Sequence, residues 1–276
     1  MEVRLTTLSE NSASYGYLAE WGLSVLVEVD RQRLLLDTGA GIAAVHNAQL
    51  LGVDLGSIDR IVLSHGHSDH TGGLREVLRR CGSVEVVAHP DVWAPKYSKR
   101  GDRPAAHVGM PFAREALEGM GAAFRLSAAP VRIGERVTTT GEVPLVTRFE
   151  DVDPYLFVRD GGVLRPDPLA DDLALVISAD FGLVVVLGCA HRGVVNTLLH
   201  AQALTGRGDV YAVIGGTHLI SASEARLAET ASAIKTMGVR RVGVSHCTGF
   251  AASAYLAREL GEAFFLMNAG TTLTLP

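Results

Sequence analysis

The chain has 276 residues and a formal net charge of −5 at pH 7, with 47% hydrophobic and 20% charged residues. This composition excludes an intrinsically disordered chain and predicts a globular protein with an extensive core. The negative charge and the lack of long basic runs argue against an extended surface for nucleic acid.

Targeting signals and cysteine content favour a cytoplasmic protein. The N-terminal segment has an acid, Glu2, and no apolar run, so it does not predict a signal peptide. The most hydrophobic stretch, residues 173–190, is interrupted by an aspartate and a glycine, which predicts two core strands rather than a membrane span. The three cysteines form no pattern of pairs.

The first half of the chain predicts strands joined by tight turns, with a few helices between them. Residues 24–39 are typical of two strands, and residues 41–52 have apolar residues at helical spacing before a glycine. Residues 60–65 predict a short buried strand, and residues 72–82 an amphipathic helix. From about 91 to 125 the pattern predicts an irregular insertion.

From residue 173 onward, apolar strands alternate with helices near residues 194–205, 223–237 and 250–260. This alternation predicts sheets with helices outside. No internal repeat and no flexible linker divides the chain, so we expect one domain over residues 1–276.

A dense cluster of possible metal ligands, SHGHSDH, occupies residues 64–70. His65 and His67 leave a strand two positions apart, and in extended backbone both side chains point to one side. Asp69 and His70 follow where the chain turns into a helix. Imidazole and carboxylate together suit zinc, and also iron or manganese. The alternative is that Asp69 only caps the helix and the histidines lie in a loop.

This cluster, with LLLDTG at residues 34–39 before it, resembles the metallo-β-lactamase superfamily. The resemblance implies an α/β (α+β) protein with an αββα four-layer sandwich and metals at one edge between the two sheets. It implies that Asp37 orients a metal ligand, although a turn-forming role fits the sequence equally well. It implies that the first metal is bound by His65 and His67, and the second by Asp69 and His70.

Later motifs resemble one subgroup of this superfamily, which includes an archaeal synthase joining a dihydropterin to a ribofuranosylaminobenzene phosphate. The motifs lie at residues 139–150, 171–177, 188–197, 215–219 and 245–249, so the resemblance covers nearly the whole chain. Members of this subgroup also occur where no such cofactor is made, and the resemblance therefore does not assign the substrate.

Two further histidines, His191 and His246, follow apolar strands and are expected to complete the metal site, although either alone could be a buried structural residue. The wider superfamily supplies a third histidine for the first metal and, later in the chain, a bridging aspartate. In this chain Cys189 stands at the place of that aspartate, two positions before His191. We expect His191 to be the ligand, because a bridging thiolate would be unusual. The number of metals stays open.

His218 also follows a strand, and its alternatives are a proton donor or substrate contact at the mouth of the site, or a structural residue. The polar segment of the insertion carries four cations, which predict either a solvated loop or a lid that holds a phosphate or carboxylate. These cations are Lys96, Lys99, Arg100 and Arg103.

The expected function is a metal-dependent hydrolase in which a metal-bound hydroxide, oriented by Asp69, attacks a small phosphorylated or otherwise anionic substrate. One or two Zn²⁺ ions are expected, with Mn²⁺ or Fe²⁺ as alternatives. One alternative function is a synthase joining a dihydropterin pyrophosphate to an aminobenzene ribofuranosyl phosphate. The other is a non-hydrolytic di-iron redox or ligand-binding protein. The sequence does not predict an oligomeric state.

Overall fold

The structure, a computed structural model, describes residues 1–276. Its strands, numbered along the chain, are β1 (Val3–Ser9), β2 (Ser24–Val29), β3 (Gln32–Leu36), β4 (Arg60–Val62), β5 (Val84–Ala88), β6 (Lys96–Ser98), β7 (Ala106–His107), β8 (Ala122–Leu126), β9 (Val137–Thr139), β10 (Leu156–Asp160), β11 (Val163–Pro166), β12 (Ala174–Ala179), β13 (Gly182–Leu187), β14 (Val210–Gly216), β15 (Arg241–Ser245), β16 (Phe264–Leu266) and β17 (Thr272–Leu275). Its helices are α1 (Ala43–Leu50), α2 (Ser68–Thr71), α3 (Leu74–Cys81), α4 (Arg114–Glu118), α5 (Val194–Thr205), α6 (Glu224–Thr236) and α7 (Phe250–Leu260). None of these helices combines the length and the apolar character needed to cross a membrane.

The first large sheet has the strand order β17-β1-β2-β3-β4-β5-β8. The strands from β17 to β3 pair antiparallel, whereas β3, β4, β5 and β8 pair parallel. Parallel neighbours need crossover connections, and α1 and α3 lie in two of them. The parallel strands therefore end at the same edge of the sheet, where the cluster at residues 64–70 follows β4.

The second large sheet has the order β16-β15-β14-β13-β12-β9. Its strands β13 to β16 are parallel, and the connections between them contain α5, α6 and α7. The carboxyl ends of β13, β14 and β15 consequently meet at one edge. The chain leaves these strands at residues 188–191, 217–218 and 246–247, so the later histidine motifs lie at that edge.

Alternating side chains of β13 show how the layers are arranged. Val184 and Val186 are buried in a core that also contains Val25 and Leu34 of the first sheet. Val185 packs instead with buried residues of α5, α6 and α7. A third cluster joins the outer face of the first sheet to α1 and α3. The predicted αββα four-layer sandwich is therefore confirmed, with the largest core between the two sheets.

The region from 91 to 125 requires a correction, because it is not an irregular insertion throughout. Strand β8 pairs with β5 at the edge of the first sheet, and Leu117 of α4 is buried in the outer core. Strands β6 and β7 join β10 and β11 in a separate sheet with the order β11-β10-β6-β7, which we call the small sheet. The local pattern did not predict these strands because β6 and β7 are only three and two residues long, and because β6 and β8 pair with the distant strands β10 and β5.

Candidate metal centre

The predicted ligands lie close together at the edge of the sandwich where the carboxyl ends of the parallel strands of both large sheets are found. The loop after β4 supplies four of them, and the turns after β13 and β15 supply one each. The five histidines are buried, with at most 6% of any of them exposed. Asp69 is partly buried. The structure thus brings together all six residues that the sequence predicted as ligands: His65, His67, Asp69, His70, His191 and His246.

One group of ligand atoms surrounds His65. Its Nε2 lies 2.9 Å from Nδ1 of His67 and 3.2 Å from Nε2 of His191. The ligand atoms of His65, His191 and Cys189 all lie within 4.8 Å of one another. Donors about 2.1 Å from a tetrahedral ion are about 3.4 Å apart, so this spacing fits a divalent ion.

A second group surrounds His70, whose Nε2 lies 3.2 Å from Nε2 of His246 and 3.1 Å from Sγ of Cys189. A carboxylate oxygen of Asp69 lies 3.3 Å from Nε2 of His246. Cys189 thus belongs to both groups. The sequence favoured His191 over Cys189 as a ligand, whereas the structure brings both residues into the cluster.

Asp37 orients two of the histidines from outside the cluster. Its Oδ2 accepts hydrogen bonds from Nδ1 of His70 and from the Ser64 hydroxyl, each 2.7 Å long. Because the only hydroxyl proton of Ser64 is used in this way, Ser64 Oγ accepts from Nδ1 of His65 at 2.9 Å. In its neutral form, each of these two imidazoles therefore presents an unprotonated Nε2 to the cluster, as a metal ligand requires.

His246 is oriented by residues near the N-terminus that the sequence did not single out. Its Nδ1 donates to Oδ1 of Asn11 at 2.8 Å, and Nδ2 of Asn11 donates to the His246 carbonyl at 3.1 Å. The backbone N–H of His246 donates to Glu10 at 2.6 Å. No local pattern predicts these contacts, because 235 positions separate Asn11 from His246.

Burial keeps the imidazoles of the first group neutral. It holds the pKa of His65 and that of His191 well below the usual value, and it lowers the pKa of His67 to about 3. Burial would also lower the pKa of His70, but the carboxylates of Asp37 and Asp69 raise it to about 9. These carboxylates favour a positive charge beside His70, which a bound cation supplies.

His218 lies over the first group, with its ring centroid 4.0 Å from that of His191. Its Nε2 is hydrogen-bonded to Asp153, and Tyr155 donates its hydroxyl to the same carboxylate at 2.8 Å. Burial would lower the pKa of His218, but the hydrogen bond to Asp153 raises it to about 10. The sequence predicted neither Asp153 nor Tyr155, since both lie on a segment remote from His218 along the chain.

A cavity of about 430 Å³ lies above the ligand groups. Trp21 and Ile220 give it an apolar rim, and Nε1 of Trp21 donates to Asp69 at 3.0 Å. The guanidinium carbon of Arg100 lies 3.9 Å from the centre of the Tyr155 ring, and both side chains line the cavity. The cavity therefore combines apolar surface, the ligand groups and one stacked cation.

The four predicted lid cations do not act together. Arg100 lines the cavity, while Lys99 and Arg103 are exposed and lie outside its lining. Lys96 is 1% exposed and forms ion pairs with Asp167 and Asp171. The prediction that Lys96 lies on a lid is wrong, because these two buried carboxylates hold its ammonium in the protein interior.

Comparison with known proteins identifies the family of the chain. The family model for the metallo-beta-lactamase superfamily matches residues 22–203. The chain belongs to this superfamily. It is 33% identical, over 97% of its length and 95% of the relative's, to 7,8-dihydropterin-6-methyl-4-(beta-D-ribofuranosyl)-aminobenzene-5'-phosphate synthase of Methanocaldococcus jannaschii.

Solved structures share the fold. One, described as a metal-dependent hydrolase of the beta-lactamase superfamily, matches with a TM-score of 0.84 and 30% identity over 98% of both chains. A diphosphatase from the PhnP family matches with a TM-score of 0.57, 13% identity and coverage of 100% of this chain and 98% of that chain, which indicates the shared fold alone. The fold of this superfamily implies divalent metal binding, and the two ligand groups of this chain fit such ions.

Removal of one imidazole from the first group tests whether the group binds metal. We expect His67→Ala to lose most of its metal while its far-ultraviolet circular dichroism stays that of the parent, because His67 supplies a ligand atom and not core packing. Metal content is measured by elemental analysis after dialysis. Full metal content in this variant would show that His67 is not a ligand.

The packing of Gly188 against Asp37 and Ser64 gives a second prediction. A Cβ at Gly188 would lie 2.1 Å from Oγ of Ser64 and 3.1 Å from Oδ2 of Asp37. We expect Gly188→Ala to lower the free energy of unfolding by about 1–3 kcal/mol and to lower metal affinity. Gly208→Ala is the control, since nothing lies within 4 Å of the added Cβ there. Equal unfolding and metal-binding curves for the two variants would contradict this account.

Proposed function

We propose that the protein is a metal-dependent hydrolase that acts on a small anionic substrate. The observation that carries this proposal is the placement of two ligand groups, joined at Cys189, beneath a cavity whose wall holds Arg100. A divalent ion bound there would make a water molecule a nucleophile at neutral pH and would stabilise the negative charge that develops on the substrate. The residues of this chain supply the rest of the site.

We assign two Zn²⁺ ions to the two groups. Imidazole nitrogen and thiolate sulfur are ligands that zinc prefers, whereas Mn²⁺ favours oxygen. The first ion would be held by His65, His67 and His191. The second would be held by Asp69, His70 and His246, with Cys189 able to contact both.

Asp69 and His218 are assigned the catalytic roles. Oδ2 of Asp69 is fixed by the indole of Trp21, which positions the carboxylate to orient a water molecule beside the second group. Nε2 of His218 donates a hydrogen bond to Asp153, which leaves Nδ1 without a partner. Nδ1 is therefore the atom that we assign to proton donation or substrate contact.

Arg100 is assigned to bind the anionic group of the substrate. It forms no ion pair, and stacking on Tyr155 holds its guanidinium at the cavity wall. A guanidinium binds a phosphate or carboxylate through parallel hydrogen bonds, which fixes the orientation of the anion. The cavity volume suits a small molecule.

The second candidate is a synthase that joins a dihydropterin diphosphate to an aminobenzene ribofuranosyl phosphate, with diphosphate as the leaving group. The match to the M. jannaschii synthase over nearly the whole of both chains favours it. The two candidates differ in the acceptor, since a hydrolase transfers the substrate group to water. They share the metal site and the anion contact at Arg100.

One set of assays separates these functions. Protein loaded with Zn²⁺, Mn²⁺ or Fe²⁺ is tested on phosphodiesters, phosphomonoesters, lactones, thioesters and β-lactams, and on a dihydropterin diphosphate with an aminobenzene acceptor. Hydrolysis without the acceptor supports the proposal, whereas product that forms only with the acceptor supports the synthase. Purified protein that contains iron, absorbs visible light and hydrolyses none of the substrates would favour the redox alternative.

The role of Arg100 predicts a selective loss of substrate affinity. We expect Arg100→Ala to raise KM for anionic substrates by about tenfold or more, because a hydrogen bond to a charged group is lost, while metal content is unchanged. Arg103→Ala is the matched control, since Arg103 lies outside the cavity. The same KM in both variants would remove Arg100 from substrate binding.

The shared position of Cys189 predicts how the turn at residues 188–191 binds metal. We expect His191→Ala to lose one equivalent of metal and Cys189→Ser to lose metal as well, because both ligand groups include Sγ of Cys189. Cys81→Ser serves as the control, since this cysteine donates to the Leu55 carbonyl away from the site. Full metal content in Cys189→Ser would leave His191 as the only ligand from this turn.

A further inference from the structure

Lys96 connects the small sheet to the interior of the protein. It is the first residue of β6, and its ammonium donates to Oδ2 of Asp167 at 2.9 Å and to Oδ1 of Asp171 at 2.8 Å. Asp167 and Asp171 are 6% and 0% exposed. A buried cation with two carboxylate partners has a defined position, because moving it would leave uncompensated charges in the interior.

Asp171 extends this connection to residues 64–70, the segment after β4 that carries four of the predicted ligands and that we call the metal loop. Its second oxygen, Oδ2, accepts a 2.8 Å hydrogen bond from the backbone N–H of Gly66, the residue between His65 and His67. A side chain at Gly66 is excluded, since its Cβ would lie 2.4 Å from the carbonyl oxygen of Val92. The backbone between His65 and His67 is therefore held between Asp171 and Val92, which lies in the segment before β6.

The small sheet also forms the cavity wall. Ser98 of β6 and Tyr155, which directly precedes β10, line the cavity. Val108, which directly follows β7, contacts the metal loop a second time, because its carbonyl accepts a 2.8 Å hydrogen bond from the Ser68 N–H. The wall and the ligand loop are thus joined at two points. Only the connection through Lys96 and Asp171 depends on side chains.

We propose that Asp171, held by Lys96, is a positioning residue that sets the geometry of the metal loop and fixes the small sheet relative to it. Asp171 contacts no ligand atom and acts through the Gly66 backbone. This inference rests on the metal site of the proposed function but not on hydrolysis, and it is tested without substrate.

The ion pairs offer a matched pair of variants. Each carboxylate accepts from Lys96 with one oxygen and from a backbone N–H with the other, which is that of Gly66 for Asp171 and that of Leu169 for Asp167. An asparagine has only one acceptor oxygen, so it cannot serve both donors. Asp171→Asn and Asp167→Asn therefore create the same local conflict, but only Asp171→Asn disturbs the metal loop.

The experiment compares parent, Asp171→Asn and Asp167→Asn in three measurements: thermal unfolding, Zn²⁺ affinity by competition with a chromophoric chelator, and the visible absorption of the Co²⁺-loaded protein. We expect similar losses of stability in both variants. We expect Asp171→Asn to weaken Zn²⁺ binding by about tenfold or more and to alter the Co²⁺ spectrum, as loss of an outer hydrogen bond to a metal site does. Asp167→Asn should keep the parent affinity and spectrum.

Two results would overturn the inference. Parent affinity and spectrum in Asp171→Asn would show that the Gly66 contact does not set ligand geometry. Equal weakening in both variants would show that metal affinity only follows overall stability. Failure of the parent itself to bind any divalent ion would overturn the metal site of the proposed function and this inference with it, whereas the two results above overturn the inference alone.

Discussion

The carboxylate of Asp37 is the constraint on which the metal centre depends. It is completely buried and accepts from the backbone N–H of Ser64, from the Ser64 hydroxyl and from Nδ1 of His70. Burial of a charge without such donors would be strongly unfavourable. Its three hydrogen bonds satisfy the carboxylate and also fix the tautomers of His65 and His70. Gly188, which follows β13 of the second large sheet, packs against Asp37 and Ser64. The orientation of the ligands therefore depends on how the two large sheets pack together.

The layered arrangement explains why the ligands meet. Each large sheet has parallel strands whose carboxyl ends lie at one edge, and the core between the sheets holds these edges together. Ligands from β4, β13 and β15 consequently reach a common volume although they are far apart in sequence. The outer contacts differ within the second group, since a carboxylate orients His70 and the neutral amide of Asn11 orients His246. A carboxylate makes its imidazole a stronger electron donor than an amide does, so His70 would bind the ion of this group more strongly than His246 would.

The small sheet and the loops beside it place polar groups at the cavity. Arg100, in the loop between β6 and β7, stacks on the ring of Tyr155. The hydroxyl of Tyr155 donates to Asp153, the carboxylate that is also hydrogen-bonded to His218. These contacts therefore connect Arg100, the proposed substrate-binding cation, to His218, whose imidazole lies over the first ligand group. Lys96 joins the same sheet to the protein interior through its ion pairs with Asp167 and Asp171. Two cations four positions apart in the sequence, Lys96 and Arg100, thus have different roles, because Arg100 faces the cavity and Lys96 the interior.

The sequence by itself determined the fold class and six of the residues at the metal centre. Hydrophobic periodicity reports local secondary structure, the spacing in HGHSDH places four ligands next to one another along the chain, and His191 and His246 each follow an apolar strand. The fold class was implied by the resemblance of these motifs to the metallo-β-lactamase superfamily. Only the tertiary structure decided that Cys189 joins both groups, that Asn11 orients His246, and that Lys96 is buried rather than on a lid. These contacts form between residues distant in sequence, and no local pattern records which carboxylate or imidazole a side chain will meet. The role of a residue therefore depends on its contacts with residues distant in sequence, whereas its secondary structure depends mainly on its neighbours in the chain.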